Sequence, residues 1–275
     1  MHTYSFAKIN LGLNVVERRS DGYHNIQTIF YPIPLSDVLE IKPSKFDDKP
    51  YNLQIVGTTI DGKTEDNLII KVLDNIKENF EIPSLDIYLN KRIPIGAGLG
   101  GGSSNAACMI NLLNDMFSLN MSEEEREERV SSLGADCAFF VKSKPVYATG
   151  IGNIMTPIDL SLKGWYFVLI KPLTSVSTRE AYGSIKPAYP EFDLQESITK
   201  PVEEWKVLIK NDFETSVFPL HPEISAIKNT LYDMGATYAS MSGSGSSVFG
   251  LFKHPQESLE KIFTDCFVFQ EKLLK

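Results

Sequence analysis

The 275-residue chain is poor in cysteine, tryptophan and histidine, with three, two and four of each. The cysteines, Cys108, Cys137 and Cys266, are odd in number and form no CxxC pair. That excludes a disulfide framework and a cysteine-based zinc site, and it suits a reducing cytoplasm. Long apolar runs are missing as well: nothing approaches the roughly eighteen uninterrupted apolar residues that a membrane-spanning helix needs. The opening stretch, MHTYSFAKINLGLNV, lacks an apolar signal core with a small-residue cleavage site and reads as a strand. Positive charge is in deficit, with 27 Lys and Arg against 35 Asp and Glu for a net charge of −8. Binding nucleic acid across a whole surface needs a positive footprint, so that class is excluded, whereas a locally basic pocket for a small anion is not. No repeat and no low-complexity linker breaks the chain, whose length fits one large or two medium domains.

What is present is ordinary globular patterning. Alternation predicts a strand over 4–17, with Phe6, Lys8 and Asn10 on one face and Ala7, Ile9, Leu11 and Leu13 on the other. Ser20-Asp21-Gly22 is a turn signal, and 23–33 is expected to return as its hairpin partner. Further strands are expected at 37–43 and 51–57, then a helix over 66–79 carrying Leu68, Val72 and Ile76 at four-residue spacing. Leu85, Ile87 and Leu89 alternate as a strand that ends by Pro94. Ala106, Met109, Ile110, Leu113 and either Met116 or Phe117 trace one helix face. The charge run SEEEREERV at 122–130 reads as a solvated helix, with Ser122 and Glu125 forming a capping box. Turn signals over 148–157 precede an apolar strand at 165–170, which suggests domains of 1–153 and 154–275. The second half shows helical segments at 178–186, 201–210 and 222–235 and a strand at 246–252. Hairpins mixed with helices in this way indicate an α+β fold rather than a doubly wound sheet.

One stretch departs from the ordinary. Residues 94–107, PIGAGLGGGSSNAA, place five glycines just before a helix. Glycines let backbone approach a ligand closely, and their N–H groups together with the positive end of the helix dipole hold an anion such as phosphate. A tight turn needs fewer of them. The Walker pattern is absent, because no lysine precedes Ser103. Gly96, Gly98 and Gly101 match G-x-G-x-x-G, but the acidic residue a dinucleotide fold wants about twenty positions on falls inside the charged helix. A second Ser/Gly stretch, 240–247, reads either as turn chemistry or as another backbone anion site.

The loop, with AKINLGLNV at 7–15, LGADCAFFV at 133–141 and SMSGSGSSVFGLF at 240–252, resembles the GHMP kinases in order and spacing over nearly the whole chain. The resemblance implies an α+β, two-domain architecture: a ribosomal-protein-S5-like N-terminal nucleotide-binding domain and a ferredoxin-like C-terminal α/β sandwich. It implies an ATP- and Mg²⁺-dependent small-molecule kinase. The ATP phosphates would lie along Pro94, Ile95, Gly96, Ala97, Gly98, Leu99, Gly100, Gly101, Gly102, Ser103 and Ser104. By sequence alone Asp136 reads as a helix cap; the same resemblance instead assigns it as the catalytic base. It places Lys8, otherwise a snorkelling or edge-guarding lysine, beside that base, and gives Asn10 to substrate positioning. No motif carboxylate is marked for the metal.

AKINLGLNV followed by RRSDGYH narrows the resemblance to members acting on a cytidine diphosphate-linked alcohol of isoprenoid synthesis. It implies a base pocket in which Tyr23 stacks, His24 reads the cytosine edge, and Thr178 with Tyr182 line the far side. By itself His24 reads as a turn-flanking surface histidine. Arg179 falls between Thr178 and Tyr182 with no assigned role, and Asn67 is an adenosine-side candidate only. His2, His221 and His254 show no partner pattern. Three other readings stay open: a GHMP kinase for homoserine, mevalonate or a sugar; a non-catalytic nucleotide-binding module; and an NAD-dependent oxidoreductase.

Overall fold

In the computed structural model, residues 1–45, 49–60 and 62–274 are described. β1 (His2–Arg18) and β2 (His24–Pro43) form the predicted hairpin, turning through Asp21, whose carboxylate accepts from Tyr23 N at 3.0 Å. The strands expected at 23–33 and 37–43 are one strand. Pro32 and Pro34 lack an N–H, and on the edge where β2 pairs with β5 through residues 28–30 and with β4 through 38–43, both prolines fall between the two ladders. β1 does not keep one face to solvent as alternation suggested: from Ala7 to Val15 both faces are buried.

The chain divides into two compact units, each discontinuous in sequence. The first comprises Met1–Ala7, Leu35–Ile95 and Gly100–Lys144. In it β3 (Tyr51–Gly57), α1 (Leu68–Lys77) and β4 (Leu85–Lys91) make a crossover that sets β3 parallel to β4. The Asn67 side chain caps α1 by accepting from Ile69 N at 3.0 Å. Against α1 packs α2 (Gly101–Phe117), followed by α3 (Glu123–Ser131) and α4 (Cys137–Lys142). α3 carries the expected capping box between Ser122 and Glu125. Leu39, Ile41, Leu73, Ile87, Leu89, Met109 and Leu113 form the core.

The second unit comprises Lys8–Pro34, Gly96–Leu99 and Pro145–Lys275. β5 (Val146–Thr149) and β6 (Ile154–Pro157) form a hairpin on the β2 segment at 28–30. β7 (Tyr166–Lys171) leads into α5 (Thr178–Tyr182), which is shorter than expected, because Gly183 closes it. Short helices α6 (Leu194–Ser197), α7 (Trp205–Leu208) and α8 (Phe213–Val217) precede α9 (Pro222–Asp233), which starts on a proline at its first turn. β8 (Tyr238–Met241), β9 (Val248–Phe252), α10 (Leu259–Ile262) and β10 (Phe267–Lys272) complete the chain. The sheet order is β10-β7-β9-β8, all antiparallel, with α9 packed on β8 and β9. β8 and β10 have no counterpart in the sequence reading, and the 240–247 stretch begins as strand before turning. The three cysteines are free thiols, and burial pushes Cys108 up to about 11.

Candidate active site

Lys8 is 4% exposed, so it is neither a snorkelling residue nor an edge guard. Its ammonium donates to Asn10 Oδ1 at 2.7 Å and to the carbonyl of Gly98 at 3.2 Å, and lies 5.0 Å from the centre of the Phe30 ring. A lysine placed so deeply needs such acceptors, since an unpaired buried ammonium is strongly disfavoured. Asn10 is held in turn: its amide donates to Thr28 Oγ1 at 2.8 Å, and that hydroxyl donates to Gly12 O at 2.6 Å. Asn10 thus presents its oxygen to the lysine with no freedom to flip.

The glycine loop comes to this lysine through backbone. Lys8 N donates to Leu99 O at 3.0 Å. Gly98 has φ +73°, and a Cβ there would lie 2.1 Å from the carbonyl oxygen of Ser242. Only glycine permits that approach. The Ser/Gly stretch supplies the other wall, with Ser242 Oγ donating to Gly98 O at 3.1 Å and accepting from Asn10 N at 3.4 Å. The two glycine-bearing turns therefore meet around one carbonyl.

At the start of α2, Gly100 occupies the N-cap in the left-handed region, with φ 68° and no side chain to cap with. The seventeen-residue helix therefore begins without a side-chain cap on its first N–H groups. Ser104 is buried, and its hydroxyl accepts from Ser5 Oγ at 2.8 Å, so it faces the interior of its unit. Ser103 is half-buried and lies within hydrogen-bonding reach of the Cys137 thiol. That contact sets the LGADC segment against the α2 N-terminus, one residue from Asp136. Asp136 stands at the N-terminal boundary of α4 in helical backbone conformation, and its side chain makes no capping hydrogen bond. The helix-cap reading of Asp136 is therefore overturned.

Around DGYH the arrangement differs from expectation in detail. Tyr23 is 62% exposed, and the ring stacked on Tyr182 is that of His24, at 4.6 Å between centroids and 15° between planes. Tyr182 is braced from its other side by an edge contact to Phe213 at 4.7 Å. Thr178 and Arg179 are exposed on the first turn of α5, which Ser177 caps. Partial burial, assisted by the Arg18 charge, holds the His24 ring below its ordinary 6.5. The neutral ring is therefore favoured to lower pH than in a free imidazole. If His24 reads a nucleobase as neutral imidazole, KM for a cytidine substrate rises on acidification, and at lower pH than titration of a free histidine would give. A KM that already climbs near neutrality contradicts this.

Sequence reasoning missed several residues of the site. Thr28 and Asn211 reach it by pairings between distant stretches of chain, and no local pattern marks them; Ser242 falls inside the Ser/Gly stretch at 240–247 that the sequence does mark. His221 was read as partnerless, but its ring lies 2.9 Å from Glu180 Oε1 and 3.7 Å from Glu223 Oε1. Among the described residues, no three His, Cys, Asp or Glu side chains gather as a metal cage, and no helix is long and apolar enough to cross a membrane.

Comparison with known proteins agrees with this geometry. The family model for the GHMP kinases N terminal domain matches residues 67–144, and that for the GHMP kinases C terminal matches 194–263. The chain is 54% identical over 274 residues to 4-diphosphocytidyl-2-C-methyl-D-erythritol kinase of Bacteroides fragilis, covering 99% of this chain and 100% of that protein. A crystal structure of 4-(cytidine 5'-diphospho)-2C-methyl-D-erythritol kinase superposes with a TM-score of 0.83 at 28% identity, covering 98% of each chain. A crystal structure of mevalonate kinase superposes with a TM-score of 0.72 over 100% of this chain and 99% of that one, and at 16% identity it shares the fold alone.

Proposed function

The chain belongs to the GHMP kinases, and from that premise we propose that it phosphorylates the 2-hydroxyl of 4-diphosphocytidyl-2-C-methyl-D-erythritol with ATP, in the non-mevalonate route to isoprenoids. The observation that carries this reading is the 54% identity, over essentially the full length, to a protein named for that activity. The stacked His24–Tyr182 pair favours it further, since an aromatic platform beside DGYH serves a nucleobase and has no use for homoserine or mevalonate.

In the proposed step the substrate oxygen attacks the γ-phosphorus of ATP, the new O–P bond forms as the bridging β–γ bond breaks, and ADP leaves. Asp136 takes the hydroxyl proton, a contribution of roughly 10²–10⁴ in rate. Lys8, its ammonium oriented by Asn10 and Gly98, offsets negative charge on the transferring group. The loop from Pro94 to Ser104 holds the phosphates by backbone N–H groups. Tyr23, His24, Thr178 and Tyr182 hold the cytidine, with Tyr182 and His24 as the stacked rings and Tyr23 at the rim.

Mg²⁺ fits this arrangement as the partner of the ATP phosphates, because it needs only one or two protein oxygens beside water and phosphate. Ser103, half-buried at the third position of α2, would supply one. When bound, the ion neutralises phosphate charge. The division into a nucleotide-binding domain at 1–153 and a C-terminal domain at 154–275 belongs to the same reading, and the two family matches fall on either side of it. We place the reaction in the cytoplasm, where three free thiols persist.

The test is turnover of the cytidine substrate, homoserine and mevalonate side by side, coupled to ADP release. Conversion of the cytidine substrate alone is expected. Conversion of only the other two would overturn the substrate assignment, and ATP binding without turnover of any would favour a non-catalytic module.

A further inference from the structure

Asn211 lies between α7 and α8 and is 2% exposed. Its amide nitrogen donates to Met241 O at 2.8 Å and to Gly243 O at 2.9 Å, while its oxygen accepts from Phe213 N at 3.0 Å. Both amide hydrogens are thus spent on carbonyls that flank a single residue, Ser242. The backbone around Asn211 is itself fastened to β1: Leu13 N donates to Lys210 O at 2.9 Å, and Asp212 N donates to Leu13 O at 2.8 Å. Val15 N donates to Asp212 Oδ2 at 2.8 Å. Asn211 therefore transmits the position of β1, which bears Lys8 and Asn10, to the turn at 241–243.

Ser242 hands that position on. Its hydroxyl donates to Gly98 O at 3.1 Å, and the same carbonyl accepts from the Lys8 ammonium at 3.2 Å. A turn that slid by a fraction of an ångström would move the carbonyl that orients the lysine. We propose that Asn211 is a positioning residue for phosphoryl transfer, clamping the turn at 241–243 so that Ser242 fixes the Gly98 carbonyl and, through it, Lys8. The inference rests on the reading of Lys8 as the cation at the transferring group. A merely structural asparagine would lower stability and leave the folded enzyme's kcat unchanged.

Two variants separate these roles. Asn211→Asp keeps the acceptor for Phe213 N and turns an acceptor toward the two carbonyls; Asn211→Ser replaces the two amide donors with one hydroxyl on a shorter side chain, so the two carbonyls can no longer both be held. In the folded fraction, measured by circular dichroism, kcat for the cytidine substrate falls about tenfold to a hundredfold, as misplacement of a reacting group does. Combined with Ser242→Ala, neither variant loses much more than the worse single change, because both act through one contact. Multiplicative losses, an unchanged kcat in a folded variant, or failure of both variants to fold would overturn the proposal. The parent protein runs in the same assay: an inactive parent sinks the kinase reading itself, whereas an active parent with equally active variants sinks only the role of Asn211.

Discussion

Replacing Asp136 by asparagine is expected to leave the fold and ATP affinity intact and to reduce kcat by roughly 10²–10⁴, the usual contribution of a positioned general base. The substitution is nearly isosteric, and the native carboxylate makes no capping bond to α4. The amide is not basic enough to take a proton from an alcohol in the transition state. KM for the cytidine substrate should move little, since the loss falls on the transition state rather than on ground-state binding. Turnover and ATP titration on the same preparation decide the point. An unchanged kcat would remove Asp136 from the mechanism, and a matching loss of ATP affinity would make it a binding residue.

The second large effect is on stability. Asp37 is fully buried in the first unit and accepts four hydrogen bonds. Lys91 Nζ reaches it at 2.5 Å, Asn105 Nδ2 at 2.9 Å, and the N–H groups of Arg92 and Ile93 at 2.7 Å each. One carboxylate thus ties the end of β4, where the chain sets out toward the glycine loop, to the second turn of α2. Asp37→Ala leaves an ammonium that is only 4% exposed without its partner, together with three further donors. Breaking a buried pair in this way costs about 3–5 kcal/mol. Burial already holds Lys91 below its ordinary value despite the pull of Asp37. Without that pull the value falls further, and the unfolded chain then binds the proton better than the folded one. The deficit is therefore greatest at low pH and eases as pH rises through the lowered value. Urea unfolding of parent and variant at two pH values measures it, and Asp37→Leu combined with Lys91→Met should recover much of the loss. A loss below about 1 kcal/mol would show the pair to be as weak as a surface one.

What could be read in the sequence follows from how local each signal is. The capping box at Ser122 and Glu125 and the glycines ahead of α2 act within a few residues, so their patterns survive in one dimension. β2 reads as two strands in the sequence, and only its pairing through 28–30 with β5 and through 38–43 with β4 shows it to be one. β8 is buried at every residue and so carries no alternation to detect. Lys8 looked like a surface lysine because its acceptors, Gly98 O and Asn10 Oδ1, are supplied by tertiary structure and by a side chain whose orientation Thr28 fixes. Asn211 and Asp37 were invisible for the same reason: the carbonyls to which the Asn211 amide donates lie 30 or more residues away, and the partners of Asp37 lie 54 or more. The stacking of His24 rather than Tyr23 on Tyr182 depends on which way each ring leaves the turn, which residue type does not encode.

The most direct measurement is a crystal structure with the cytidine substrate and a non-hydrolysable ATP analogue bound together. It should show phosphates along the backbone of 96–104, the cytosine against the His24 and Tyr182 rings, and the substrate 2-hydroxyl about 3 Å from the Asp136 carboxylate. A 2-hydroxyl held out of reach of that carboxylate, with the triphosphate bound away from the glycine loop, would contradict the account.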